Sequence, residues 1–186
     1  MKEILIDMDN TLVDLTSELI QRYNQRTNNS ESLSMRDVVK YNFESFVDRP
    51  ELIQPIIESE GFFTNLRPYP GALYYFNELC RLGHKIVIVT QPSNKTGRAV
   101  DEKESWIKKH IPNYSTREIT YTTNKYMIGG DIFFDDSPHH LKAWANRHPS
   151  GITCKIVFPY NKNVKTDYTF SVETAWSTFY KTVKKM

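Results

Sequence analysis

Ile4-Leu5-Ile6-Asp7-Met8-Asp9-Asn10-Thr11 is the stretch that decides the fold: three apolar β-formers stop at two carboxylates two residues apart. A short continuous apolar run ended by turn formers reads as a strand buried on both faces, as in a parallel sheet. The same grammar recurs down the chain. Ile86-Val87-Ile88-Val89 ends in Thr90-Gln91-Pro92-Ser93, Ile132-Phe133-Phe134 in Asp135-Asp136-Ser137-Pro138, and Cys154-Lys155-Ile156-Val157-Phe158 in Pro159-Tyr160-Asn161. A weaker run, Glu118-Ile119-Thr120-Tyr121, makes a fifth strand.

Helical patterns alternate with these runs. After Pro70-Gly71, the residues Leu73, Phe76, Leu79, Cys80 and Leu82 recur at helical spacing up to Gly83. Residues 102–110, with Trp106 and Ile107 and a stop at Pro112, form another helix. Strand–helix alternation predicts right-handed βαβ units, and so an α/β fold with a doubly wound parallel sheet. Ligands of such sheets bind where the strands' carboxyl ends emerge. The acidic and hydroxyl residues above all sit at those ends.

Residues 12–69 break the alternation. They carry a helical pattern through Leu15, Leu19, Ile20 and Tyr23, a polar stretch at 26–30, a capping start at Ser34, and a short helix from Pro50 disturbed by Pro55. This predicts a small α-helical cap inserted after the first strand, with residues 1–11 and 70–186 forming the α/β core. Hinges are expected near 11–14 and 64–68.

Composition narrows the function. The 186 residues carry 24 Lys plus Arg against 22 Asp plus Glu, a net charge of +2, so bulk binding of nucleic acid is not expected. Two cysteines, Cys80 and Cys154, make neither a disulfide framework nor a metal motif. The apolar run at the start is cut at Asp7, too short for a signal peptide or a membrane span. A cytoplasmic protein without membrane contact is the expectation; a homodimer is compatible with the sequence, which specifies no oligomeric state.

The chemistry rests on carboxylates. If the strands ending at Asp7-x-Asp9 and at Asp135-Asp136 are neighbours, up to four carboxylates converge on one crevice and repel one another strongly. A hard divalent cation with oxygen ligands, Mg²⁺, resolves that repulsion. Separately solvated turn residues are the simpler alternative for either pair alone, but a turn does not require both.

The order Asp7-x-Asp9-x-Thr11, Thr90 after an apolar strand, Lys125, then Asp135-Asp136 resembles the four signature motifs of the haloacid dehalogenase superfamily of phosphatases. Gly61-Phe62-Phe63, Leu66-x-Pro68-x-Pro70-Gly71-Ala72, Glu102-Lys103-x-x-Trp106 and Phe134-Asp135-Asp136 are similar to the 5′(3′)-deoxyribonucleotidases. The resemblance spans roughly residues 3–140 and implies a Rossmannoid core with an inserted cap. It implies Asp7 as nucleophile forming an aspartyl-phosphate, and Asp9 as general acid and then base. Asp7, the Asp9 backbone carbonyl and Asp135 would hold Mg²⁺, with Asp136 orienting a metal-bound water. Thr90 and Lys125 would bind phosphoryl oxygens, and Gln91 stands where the family often has Ser, as Thr123 does where it often has Arg.

The implied substrate is a small deoxyribonucleoside monophosphate. Tyr41, Phe43, Phe46, Phe62 and Phe63 cluster in the insert, where base–aromatic stacking is worth about 1–3 kcal/mol. At least half of these rings are expected to form the cap's own core. Phe62 and Phe63 lie where the family places base-contacting aromatics, and Tyr41 and Phe43 are further candidates. His139 and His140 read as surface or helix-cap residues, Trp144 and Trp176 as packing residues. Alternatives are a related phosphatase for another small phosphorylated metabolite or a polynucleotide 3′-end, a phosphoacceptor signalling module, and an inactive nucleotide-binding relative.

Overall fold

A computed structural model describes residues 1–28, 30, 32–92 and 97–186. Six strands form one parallel sheet: β1 (Glu3–Ile6), β2 (Lys85–Thr90), β3 (Ile119–Tyr121), β4 (Ile132–Phe134), β5 (Ile152–Ile156) and β6 (Tyr168–Phe170). Their order is β3-β2-β1-β4-β5-β6, so the winding reverses at β1. That reversal opens a crevice at the carboxyl ends of β1 and its neighbours.

Six α-helices are present among the described residues: α1 (Leu15–Arg26), α2 (Ile53–Ile57), α3 (Ala72–Arg81), α4 (Arg98–His110), α5 (Pro138–Arg147) and α6 (Ala175–Val183). The two-residue alternation of the strands divides their side chains between two layers. Ile4, Ile6, Ile86, Ile88, Ile132 and Phe134 face the larger core, against Phe76 of α3, Trp106 of α4 and Trp176 and Phe179 of α6. Leu5, Val87, Val89 and Phe133 face the other way, onto Leu141 and Trp144 of α5. The expected packing role of Trp144 and Trp176 accords with their complete burial. None of the described helices is long and apolar enough to cross a membrane.

Between β1 and α3 the chain holds α1, short 3₁₀ turns at Met35–Asp37, Phe43–Ser45 and Pro50–Leu52, and α2, with no strand among the described residues. Ser34 starts its turn with a capping box to Asp37, as its sequence suggests. The two segments expected to act as hinges pair with each other: the Asp14 amide donates to the Arg67 carbonyl (2.8 Å) and the Tyr69 amide to that of Leu12 (3.0 Å). Indole N–H groups of Trp106 and Trp176 bind the Leu66 and Thr11 carbonyls, tying both segments to the core.

Two boundaries differ from the sequence expectation by two residues or more, and one strand is additional to it. β5 covers 152–156 rather than 154–158, because beyond it the Phe158 amide turns to the Asn161 side chain (2.9 Å). α4 starts at Arg98, four residues early, behind Gly97 in the left-handed region (φ 67°). β6 was not expected, since three residues with one buried side chain give no apolar run.

Gly151 yields a direct test of packing. A Cβ there would lie 2.3 Å from the Trp144 ring, which is buried, stacked on Phe133 and hydrogen-bonded through its indole N–H to Ile128. Gly151→Ala is expected to cost about 1–3 kcal/mol, a fall of several degrees in Tm. Gly129→Ala, which meets nothing within 4 Å, is the control and should stay within about 0.5 kcal/mol of wild type. Equal melting curves for the two variants would contradict the rigid Trp144 packing.

Candidate active site

The site grows out of strand register. Ile6 of β1 pairs with Phe134 of β4, so the next residues, Asp7 and Asp135, leave the sheet side by side. The pairing continues one step, with the Asp7 amide donating to the Phe134 carbonyl (2.9 Å) and the Asp135 amide to that of Cys154 (3.2 Å). After Asp7 the chain folds over Met8, whose carbonyl accepts the amides of Leu12 and Val13. Asn10 makes this turn with φ 54°, a conformation that Asn tolerates better than most side chains, and its amide oxygen accepts the Thr16 amide at the start of α1.

Asp7, Asp135 and Asp136 each place a carboxylate oxygen within 4.8 Å of the others, and all three are buried. Lys125, from the 3₁₀ turn Lys125–Met127, inserts its ammonium between Asp7 Oδ1 (2.6 Å) and Asp135 Oδ2 (2.8 Å). Asp7 Oδ1 also accepts the Met8 amide, and Asp135 Oδ1 that of Ser137. One ammonium against three carboxylates leaves the cluster short of positive charge. Burial first, then the charges of Asp135, Asp136 and Asp9, push the Asp7 carboxyl well above the usual range despite Lys125. Burial and Asp135 push Asp136 up to about 7, against a Tyr160 hydrogen bond that lowers it. Burial alone would depress Lys125, but Asp135 and Asp7 reverse this and hold it charged.

Asp9 stands apart. Of the four acids expected to converge, three do; the Asp9 carboxylate is drawn instead to Lys103 Nζ (2.6 Å). Its Oδ1 is buried with no hydrogen-bond partner among the described residues, as is Thr11 Oγ1. Lys103, to which the sequence pattern assigns no role, also donates to Thr90 Oγ1 (2.8 Å) and the Gln91 carbonyl (2.9 Å). Those three acceptors use all three ammonium protons. The Phe63 ring lies 4.8 Å beneath the same nitrogen. One signal in the sequence points to it: Lys103 sits three and four residues before Trp106 and Ile107, on the apolar stripe of α4. Its neighbour Glu102 accepts the amides of Gly61 (2.8 Å) and Phe63 (2.9 Å), fastening residues 61–63 to α4.

A cavity of about 370 Å³ opens between the insert, from Leu15 to Phe63, and the sheet's carboxyl ends. Its walls include Tyr41, Phe43 and Phe63 on one side and Asp9, Gln91 and Asp136 on the other. Tyr41 is half-exposed, yet its phenol is pushed well above its usual pKa by burial and by Asp136, Asp135 and Asp7, so the hydroxyl stays protonated beside the cluster. Phe43 serves twice, lining the cavity and packing on Tyr23 and Phe46.

Two expectations need correction. Phe62 does not line the cavity: it is fully buried, edge-on to Phe63 and covered by the Arg22 guanidinium 5.2 Å from its ring, because successive side chains of the Glu102-held turn point apart. His140 is no surface residue: it is buried on α5, and its Nε2 meets Gln91 Nε2 at 3.0 Å. Burial pushes its pKa down to about 4, leaving a neutral ring whose Nε2 accepts from the Gln91 amide. Thr90 is fully buried at the end of β2. Beyond Gln91 and Pro92, residues 93–96 lie outside the described residues.

A sequence-family model described as 5′ nucleotidase, deoxy (Pyrimidine), cytosolic type C protein matches residues 1–185. A 5′(3′)-deoxyribonucleotidase of Clostridium acetobutylicum is 32% identical over 161 residues, 85% of this chain and 82% of that protein. The cytosolic-type 5′(3′)-deoxyribonucleotidase of Homo sapiens is 28% identical over 141 residues, 72% of this chain and 69% of that protein. Among solved structures, a haloacid-dehalogenase (HAD) family hydrolase from Deinococcus radiodurans, crystallised with phosphate and sodium, aligns with TM-score 0.66 over 98% of this chain and 95% of that one. At 10% identity that likeness shows the doubly wound, haloacid-dehalogenase-like fold.

Proposed function

The chain belongs to the deoxy (pyrimidine), cytosolic type C 5′ nucleotidase family and is a phosphatase, and we propose that it hydrolyses deoxyribonucleoside monophosphates with Mg²⁺ through an aspartyl-phosphate on Asp7. The observation that carries this reading is the buried Asp7–Asp135–Asp136 cluster at the β1/β4 strand ends, with Asp9 close by but paired elsewhere.

The cluster suits a hard divalent cation: three buried carboxylates offer only oxygen, and a single ammonium leaves them under-neutralised. Asp7, Asp135 and the Asp9 carbonyl would hold Mg²⁺, with Asp136 beside them. When bound, the ion supplies Lewis-acid neutralisation of the carboxylates and the phosphoryl oxygens.

Each protein group then has a task. Asp7 has both hydrogen bonds on Oδ1, which leaves Oδ2 to attack phosphorus. The phosphorus–oxygen bond to the nucleoside breaks as the Asp9 carboxyl, presenting its unpartnered Oδ1, delivers a proton to the leaving oxygen. Asp9 next takes a proton from water, which attacks phosphorus and releases inorganic phosphate and the Asp7 carboxylate. Lys125 retains one ammonium proton for a phosphoryl oxygen, and Thr90, which accepts from Lys103, keeps its own hydroxyl proton to donate. Lys103 holds Asp9 and Thr90 at fixed spacing. Residues 12–69 act as the cap over this site, and Tyr41, Phe43 and Phe63 receive the base while Gln91, steadied by His140, faces the nucleotide.

A panel of phosphomonoesters tests the substrate. Stacking worth about 2 kcal/mol corresponds to roughly 30-fold in kcat/KM, so dUMP, dTMP or dGMP should exceed glucose 6-phosphate by at least that factor. Equal rates across the panel would remove the nucleotide assignment and favour a phosphatase for another small metabolite.

A further inference from the structure

The loop after β5 lies beyond the motifs of the sequence, yet it grips the carboxylate cluster. Tyr160 donates its hydroxyl proton to Asp136 Oδ2, and Asn161 Nδ2 donates to the Asp136 carbonyl (2.8 Å) and to that of Ile156 (2.9 Å). Asp136 is therefore held at both its side chain and its backbone by two consecutive residues. The Tyr160 ring stacks on Phe158 (5.2 Å, 9° between planes) and meets Tyr41 edge-on at 5.6 Å. So the same phenol that holds Asp136 also touches the insert.

What shapes this loop is Lys155. It lies in β5, 2% exposed, and has no carboxylate partner among the described residues. Its ammonium instead donates to the backbone carbonyls of Asn161 (2.9 Å) and Val164, with that of Lys162 at 3.5 Å. A buried ammonium requires such acceptors, so the chain at 161–164 must curl around it. That curl places Tyr160 and Asn161 under Asp136. A hydrophobic residue at 155 would satisfy the strand and remove the reason for the curl.

We propose that Tyr160 is a positioning residue for Asp136, itself placed by the Lys155-centred loop, and that this support sets the affinity of the carboxylate cluster for a divalent cation. The inference rests on the reading of the cluster as a Mg²⁺ site. Partners that orient a metal site's ligands typically change affinity by about 10–100-fold when removed.

The test is calorimetric titration of MgCl₂ into the metal-free, full-length protein, without substrate. Tyr160→Phe keeps the ring and removes only the donor, and it should bind Mg²⁺ about tenfold more weakly. In turnover assays its half-saturating Mg²⁺ concentration should rise by the same factor, while KM for dUMP at saturating Mg²⁺ moves less than twofold. Lys155→Met should weaken binding in the same direction, and the double variant should be no weaker than the weaker single one. Should Lys155→Met fail to fold by circular dichroism, Tyr160→Phe decides alone. Wild-type affinity in Tyr160→Phe overturns the proposal while leaving the Mg²⁺ site intact. Absence of Mg²⁺ binding by wild type overturns the metal reading, and this inference with it.

Discussion

Asp7→Asn is expected to abolish phosphatase turnover, by about 10⁴-fold or more in kcat, because the amide cannot attack phosphorus and no other carboxylate stands in its place. Asp135 is bound through both oxygens, to Lys125 and to the Ser137 amide, and Asp9 is held by Lys103. The variant should nevertheless fold. Burial and three neighbouring carboxylates already disfavour the charged form of Asp7, so a neutral isostere at this position should raise Tm in the absence of divalent cation at pH 7.5. Borohydride reduction of wild type during turnover should convert the acyl phosphate at residue 7 to homoserine, detectable by peptide mass spectrometry. Substantial turnover by Asp7→Asn, or reduction at another aspartate, would remove Asp7 as the nucleophile.

The second large effect is that of the cation. Chelation should suppress activity by about 10³-fold or more, since charge compensation by a bound ion and its partners supplies several kcal/mol of the barrier reduction; added MgCl₂ should restore it. Stability carries the same signature with a definite sign. Asp7 and Asp136 have folded-state pKa values above their unfolded ones, Asp136 near 7 against 3.8. Between those values the folded chain binds more protons than the unfolded chain, so the stability of the metal-free protein falls as pH rises from about 4 to 7. Above pH 7 Asp136 is ionised, the form that a bound cation stabilises. At 100 times its dissociation constant, Mg²⁺ adds about 2.7 kcal/mol, roughly 5–10 °C in Tm for a chain of this size. The Mg²⁺-induced rise should be clearly larger at pH 7.5 than at pH 5. A rise of equal size at both, or none at either, would mean that the three carboxylates are not where the ion binds.

Family membership over residues 1–185 places the chain among nucleotidases and sets aside the phosphoacceptor signalling module. Substrate choice depends on the cavity walls, where sequence reading was weakest. Phe62 and Phe63 are adjacent and chemically alike, yet one faces Lys103 and the cavity while the other lies under Arg22. Nothing in their spacing distinguishes them; the Glu102 clamp does.

Much of the architecture was legible along the chain, because its determinants are local. Apolar runs ended by acids marked β1 and β4, one ended by a hydroxyl marked β2, and together they placed Asp7, Thr90 and Asp135 at strand ends with their residue numbers. A parallel strand buried on both faces has to be apolar throughout, so the point where polarity begins is the point where the sheet stops. What only the tertiary structure decided is which charge meets which. Lys103 reaches Asp9 across 94 residues, Lys125 enters between Asp7 and Asp135, and Tyr160 and Asn161 support Asp136 from a loop wrapped on Lys155. A buried ionic group is tolerated only where partners from distant segments satisfy it. Such partners follow no period, so they emerge only when the sheet brings its strand ends together.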